Sequence, residues 1–170
     1  MLRHSIGAAV GLDLVLRRPD LVQKLIQASG GFDISADAQA AIDIDRMVEQ
    51  TVAFLGSTYG QVSADGEAHF ATVVRKDFEL TSREPVYSKA LVAGIQQPTL
   101  VMVADDDISS LDHSIDFYRA LPNGELVVVP GTSHFLLQEK PELCNAIILD
   151  FLLNDPVATV APVRRAPALA

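Results

Sequence analysis

Two kinds of hydrophobic pattern alternate along this chain. Continuous apolar runs occur at 98–103 (Pro-Thr-Leu-Val-Met-Val) and at 125–129, and 22–28, closed by Ser29-Gly30-Gly31, reads as a short strand. Runs without polar alternation predict parallel strands covered on both faces. Helical spacing fills the intervals, predicting helices over 6–18, 36–55, 67–80, from Ser109 or Ser110 to 121, and 141–153. In the first, Ile6, Ala9, Val10 and Leu14 share a face, and Leu12, Val15 and Leu16 nearly complete the circle, which predicts a buried helix. Gly7 and Gly11, one turn apart, fit a helix lying tightly on a sheet.

Punctuation supports these elements. Pro19 ends the first helix, Pro122-Asn123-Gly124 the fourth, and Pro141 opens the last. The polar stretch 56–66, with Tyr59-Gly60 and Asp65-Gly66, predicts a break between two helices. No strand pattern occurs between Phe32 and Ser88, so 32–88 is expected to be a helical insertion. Residues 1–31 and 89–154 then form an α/β layer. The tail from Asp155 to Ala170 has no periodicity and is expected to be disordered. Strand–helix alternation predicts a short parallel sheet flanked by helices, and right-handed crossovers predict helices on both faces.

Composition narrows the function classes. With 170 residues there is room for one sizeable core. A net charge of −9 without a compensating Lys/Arg cluster argues against nucleic acid. Mean hydropathy is +0.25, yet no uncharged run is long enough to span a bilayer. The lone Cys144 cannot form an internal disulfide, and its apolar helical surroundings predict a buried small hydrophobe. No signal peptide pattern is present, so a cytoplasmic location is expected.

Active groups in parallel sheets gather at the carboxyl ends of strands. Three candidates fall there, in the order Ser5, Asp107, His134. A serine hydroxyl is a weak nucleophile until an imidazole takes its proton, and that imidazole needs a carboxylate on its far nitrogen. Ser5 lies in His4-Ser5-Ile6-Gly7, most of the G-x-S-x-G turn that lifts a serine above a sheet. The first glycine of that motif is Arg3 here, a side chain where the turn has little room.

At these residues the chain resembles the α/β-hydrolase family, in its small-substrate esterase and carbon–carbon-bond hydrolase branch. The resemblance rests on His4-Ser5-Ile6-Gly7-Ala8, on Pro98-Thr99-Leu100-Val101 leading to Asp105-Asp106-Asp107, and on Val129-Pro130-Gly131-Thr132-Ser133-His134. Glu139-Lys140-Pro141-Glu142 adds to it. It implies the C-terminal part of that fold, with 32–88 as the lid. It also implies Ser5 as nucleophile, His134 as base, Asp107 as its acid, and Ile6 N–H as an oxyanion donor. Met47, Phe54, Tyr59, Phe70 and Phe78 become candidates for binding or packing around a small apolar ester or related carbonyl substrate, with no cofactor and no metal.

Family members carry strands ahead of the serine and a second oxyanion donor, which predicts weak activity for this chain. The same comparison leaves 22–28 as an apolar sheet edge and predicts a homodimer through it. A non-catalytic remnant of the family is the alternative reading. A magnesium-dependent phosphatase, suggested by the strand ending in Asp105-Asp106-Asp107, is a lower one, since the next strand ends in Gly-Thr-Ser-His. Asp105 and Asp106 are expected as turn and capping groups, His4 as a flank of the turn, and His69 and His113 as surface or lid residues.

Overall fold

A computed structural model describes residues 1–32, 43–83, 87–157 and 159–161. Four strands, β1 (Leu2–His4), β2 (Leu25–Ala28), β3 (Thr99–Asp106) and β4 (Gly124–Ser133), form one parallel sheet in the order β1-β2-β3-β4. The helices are α1 (Ile6–Arg17), α2 (Ile44–Val62), α3 (Phe70–Thr81), α4 (Lys89–Val92), α5 (Leu111–Ala120), α6 (Leu136–Glu139) and α7 (Pro141–Leu153). Single 3₁₀ turns cover Pro19–Leu21 and Glu67–His69. Among the described residues no helix is long and apolar enough to cross a membrane.

Alternation along the strands divides the core in two. Leu25 and Val101 point to one face and pack with Leu12 and Val15 of α1, Val92 of α4, and Phe117 and Leu121 of α5. Ile26, Ala28, Leu100, Met102 and Ala104 point to the other, against Leu136, Cys144, Ile148 and Phe151 of α6 and α7. Both sides of β2 and β3 are therefore dry, which is why 100–104 reads as an unbroken apolar run and why β2 carries a single polar residue, Gln27. Burying each of these large side chains contributes about 1.5–3 kcal/mol. Gln27, fully buried in β2, donates from Nε2 to Ala8 O at 2.9 Å and ties the strand to α1.

Helices cover both faces as expected, but the crossovers do not supply both layers. Each crossover steps one strand in the same direction, so right-handed connections place α1, α4 and α5 on one face together. The second face is covered by α6 and α7, which follow the last strand.

The sheet edge also lies elsewhere. The run 22–28 was expected at the rim, but β2 is interior: Leu2, Arg3 and His4 pair with Ile26, Gln27 and Ala28. The edge on that side is β1, only three residues long, and β4 forms the other. Pairing occupies only Leu25–Ala28, while Val22 is buried ahead of it.

Other bounds shift for local reasons. Asp43 caps α2, its side chain accepting from Arg46 N–H, and residues 36–42 of the expected helix lie outside the described residues. The helix runs through Gly56 and Gly60 instead of breaking there. A Cβ on Gly60 would sit 2.8 Å from Glu67 Cβ and 3.2 Å from its backbone, so this glycine admits a close approach and makes no turn. β3 and β4 run further than their apolar cores, through an irregularity between Ala104 and Asp106, so 130–133 is strand and not loop. The tail shows no regular element at 155–157 and 159–161; its remainder lies outside the described residues.

The chain leaves the layer after Phe32 and returns at Tyr87, whose N–H donates to Phe32 O at 3.0 Å. Between these points α2 and α3 pack on each other through Val48, Phe70 and Val74. Pro85 and its neighbours, 84–86, lie outside the described residues.

Candidate active site

β1 becomes α1 across one residue. Ser5 has φ 54° and ψ −128°, a left-handed conformation that a non-glycine residue adopts at a cost of roughly 1–3 kcal/mol. Its N–H donates to Ala28 O at 3.0 Å, which holds the turn against β2. Ile6 opens the helix, so its N–H is among those without an intrahelical acceptor and sits at the positive end of the helix dipole. Arg3 is accommodated by the helix below it. Its stem passes over Gly11, where a Cβ would lie 2.8 Å from Arg3 Cγ, and over Gly7, at 3.9 Å from Arg3 Cδ. The crowding expected at Arg3 is thus relieved by the two glycines one turn apart.

Asp107 follows β3, with no exposed side-chain surface. Its Oδ1 lies 2.8 Å from His134 Nδ1, and its Oδ2 accepts from Ser29 Oγ at 2.5 Å and Ala104 N–H at 3.3 Å. Burial pushes this carboxyl up, but the hydrogen bonds from Ser29, His134 and Ala104 outweigh it, so it lies below the usual carboxylate range. An ionised carboxylate only accepts, so His134 carries a proton on Nδ1. Nε2 is then free to accept from Ser5 Oγ, 2.8 Å away. Hydroxyl, imidazole and carboxylate form one hydrogen-bonded row drawn from residues 5, 107 and 134.

The strand extension carrying His134 is clamped from several sides. Asp105 accepts from Gly131 N–H at 2.8 Å and Thr132 N–H at 3.1 Å, which holds its own carboxyl below the usual range. Glu139 accepts from Ser133 Oγ at 2.7 Å and Ser133 N–H at 2.6 Å, with the same effect on its carboxyl. Lys140 Nζ donates to Pro130 O. His4, expected only as a flank, donates from Nε2 to His134 O at 2.7 Å, its ring 4.9 Å from that of His134. His113 is half-buried. Its Nε2 accepts from Phe32 N–H at 3.3 Å, and its ring stacks on Phe32 at 5.0 Å. His69 is exposed.

The lid candidates separate into two groups. Tyr59 stacks on Phe70 at 4.6 Å, and both join Phe78 in the packing between α2 and α3. Met47 is exposed, and Phe54 is 66% exposed. Phe54 meets Phe135 edge-on at 5.5 Å, and Phe135 meets His134 edge-on at 5.9 Å. Of these candidates, Phe54 is therefore the one whose contacts lead to the imidazole.

Ser29 and Phe135 were not singled out by sequence reasoning. Ser29 ends a strand at the same rim as the other groups, which is the signal that could have found it. Among the described residues no group of three His, Cys, Asp or Glu side chains is arranged to hold a metal. Asp105 and Asp107, the pair behind the phosphatase reading, are engaged in the separate networks given above. Cys144 is buried in α7, its thiol pushed up by desolvation and donating to Leu136 O at 3.3 Å.

No family model matches the chain. Five curated relatives, all named as carbamate hydrolase RutD, align with 88–89% of it, and the chain spans 62–65% of their lengths. The protein of that name from Serratia proteamaculans is 29% identical over 171 residues, covering 89% of this chain and 64% of the relative. Among solved structures, MGS-M2, an α/β-hydrolase enzyme from a Medee basin deep-sea metagenome library, superposes with a TM-score of 0.68 at 17% identity. It covers 94% of this chain and 66% of its own. A thermophilic esterase from Thermogutta terrifontis gives a TM-score of 0.68 at 20% identity, covering 89% and 63%. Sharing their layered sheet over about nine-tenths of its length, this chain is an α/β-hydrolase by fold.

Proposed function

We propose that this chain is a serine hydrolase cutting an ester or carbamate bond in a small, mainly apolar substrate. The observation that carries the reading is the row Ser5 Oγ, His134 Nε2, His134 Nδ1, Asp107 Oδ1, with both links at 2.8 Å. Ser5 Oγ attacks the carbonyl carbon as its proton passes to His134 Nε2. Asp107 keeps the ring oriented and stabilises the imidazolium. The carbonyl oxygen, now an oxyanion, is held by Ile6 N–H at the head of α1. His134 returns the proton to the leaving oxygen or nitrogen, giving an acyl-Ser5. Water, deprotonated by the same nitrogen, then releases the acid and restores the hydroxyl.

The bond class is supported by the chemistry of the row and by relatives named for carbamate hydrolysis, with esterases among the structures of like fold. Phe54 and Phe135 offer an apolar wall beside the imidazole. The test is labelling by a fluorophosphonate, which reacts with an activated serine. Stoichiometric labelling, abolished by Ser5→Ala and by His134→Ala, supports the reading. An unlabelled, folded chain would make it a non-catalytic member of the fold. Competition by short-chain esters and by carbamates then ranks the two bond types.

A further inference from the structure

Asp107 has two carboxylate oxygens, and the proposed reaction uses only the hydrogen bond at Oδ1. Oδ2 faces the end of β2, where Ser29 donates to it at 2.5 Å. Three features set this contact apart from an incidental one. Ser29 is 3% exposed and the Asp107 side chain is fully covered, so water has no open route to replace the hydroxyl. Ser29 also has φ 48°, and with Ser5 it makes up the non-glycine residues of left-handed φ among those described. Glycines follow at 30 and 31 and could occupy that conformation freely, yet the serine holds it. Finally, the surroundings enforce the position. Ser29 N–H donates to Met102 O at 2.8 Å, and a Cβ on Gly30 would sit 2.2 Å from Ala8 Cβ, so β3 and α1 both fix the loop.

A short hydrogen bond to an ionised acceptor is among the stronger ones, and it restricts rotation of the carboxylate. With Oδ2 pinned by Ser29, Oδ1 stays directed at the imidazole. We propose that Ser29 is a positioning residue for the hydrolase reaction, extending the row to Ser29, Asp107, His134 and Ser5. It acts through Asp107 and touches no substrate. Its consequence for rate rests on the serine-hydrolase reading; its effect on His134 does not.

The experiment therefore uses two readouts on the whole chain. The first is the low-field proton resonance of His134 Nδ1–H, assigned by its loss in His134→Gln. The second is the rate of fluorophosphonate labelling. In Ser29→Ala the resonance is expected to move upfield or broaden away and labelling to slow roughly 10- to 100-fold, the scale of one hydrogen bond to a charged group. Ser29→Cys, close in size but a weak donor, should behave alike, and Ser29→Thr, which keeps the hydroxyl, should restore both.

An unchanged resonance and rate in folded Ser29→Ala overturns the proposal, as does a wild-type chain with no such resonance. Failure of both Ser29→Ala and Ser29→Cys to fold overturns it too, since Ser29 would then support the fold and not the acid. If the resonance depends on Ser29 while no chain is labelled, the positioning role stands and the hydrolase reading falls. If the wild type is labelled and Ser29→Ala matches it in both readouts, the positioning role falls alone.

Discussion

The α/β layer and the α2–α3 helix pair are built on different principles. In the layer, apolar side chains from two faces of the sheet meet helices on both sides, and polar groups at the rim are held by partners from several strands. In the helix pair, a core of Val48, Phe70 and Val74 with half-buried neighbours holds two amphipathic helices to each other, and Phe54 and Val62 stay exposed. The layer has enough packing to keep two residues at left-handed φ beside the site. The pair has a small interior and shares little of the layer's. If the proposed serine-hydrolase reading holds, rigidity at the reacting groups and looseness in the helix pair are the expected division of labour.

The largest effect that sharpens this contrast comes from Ser5→Gly. Labelling and hydrolysis should fall by about 10⁴-fold or more, because the proposed nucleophile is gone. Thermal stability should rise by about 1 kcal/mol, because glycine accepts φ 54° without strain. Calorimetry beside a labelling assay reads both, and a fall in Tm would show that the layer stores no strain at the turn.

Next in size is a core deletion in each region. Phe117→Ala, at a fully buried site under the sheet, should cost about 3–5 kcal/mol in a single cooperative transition. Phe70→Ala should cost less and act locally. Amides of 44–81 should exchange faster while those of β2 and β3 keep their protection, and Ser5 should still be labelled. Equal global destabilisation by both would erase the distinction between the regions.

Smaller again is Gly60→Ala. Replacing a mid-helix glycine ordinarily stabilises by up to about 1 kcal/mol. Here the added Cβ meets Glu67 backbone, so the helices must separate and a loss of similar size is expected in urea denaturation.

Acid should produce the mildest change. The Asp107 carboxyl lies below its ordinary value in the fold, so the stability it contributes is present above the unfolded carboxylate range, near pH ~4. That stability is lost as pH falls through the folded value. Wild type should therefore weaken more steeply below pH ~4 than Asp107→Asn, as read from denaturation midpoints across that range.

How far the sequence speaks for the structure depends on whether the signal is local. β3, β4 and α7 are legible because their apolar runs and Pro141 are contiguous. Ser5, Asp107 and His134 are legible because each directly follows a strand. The place of β2 in the sheet is not, since its neighbour is a three-residue strand containing Arg3 and His4, with no apolar signature. Gly56 and Gly60 look like a break because spacing alone does not distinguish a glycine that turns the chain from one that lets Glu67 approach. Helical period marks Phe70 and Phe78 as apolar-face residues, but whether that face meets a sister helix or a substrate is decided by tertiary packing. Ser29 before two glycines looks like a turn, and its bond to Asp107 spans 78 positions.

The hydrogen bond from Tyr87 N–H to Phe32 O brings the two ends of the intervening segment together on the layer. A few residues could close that gap, and so could many, without shifting any strand. The segment is in effect a cassette. Selection, or an engineer, could exchange it for another segment while the hydrogen-bonded row at the rim stays as it was.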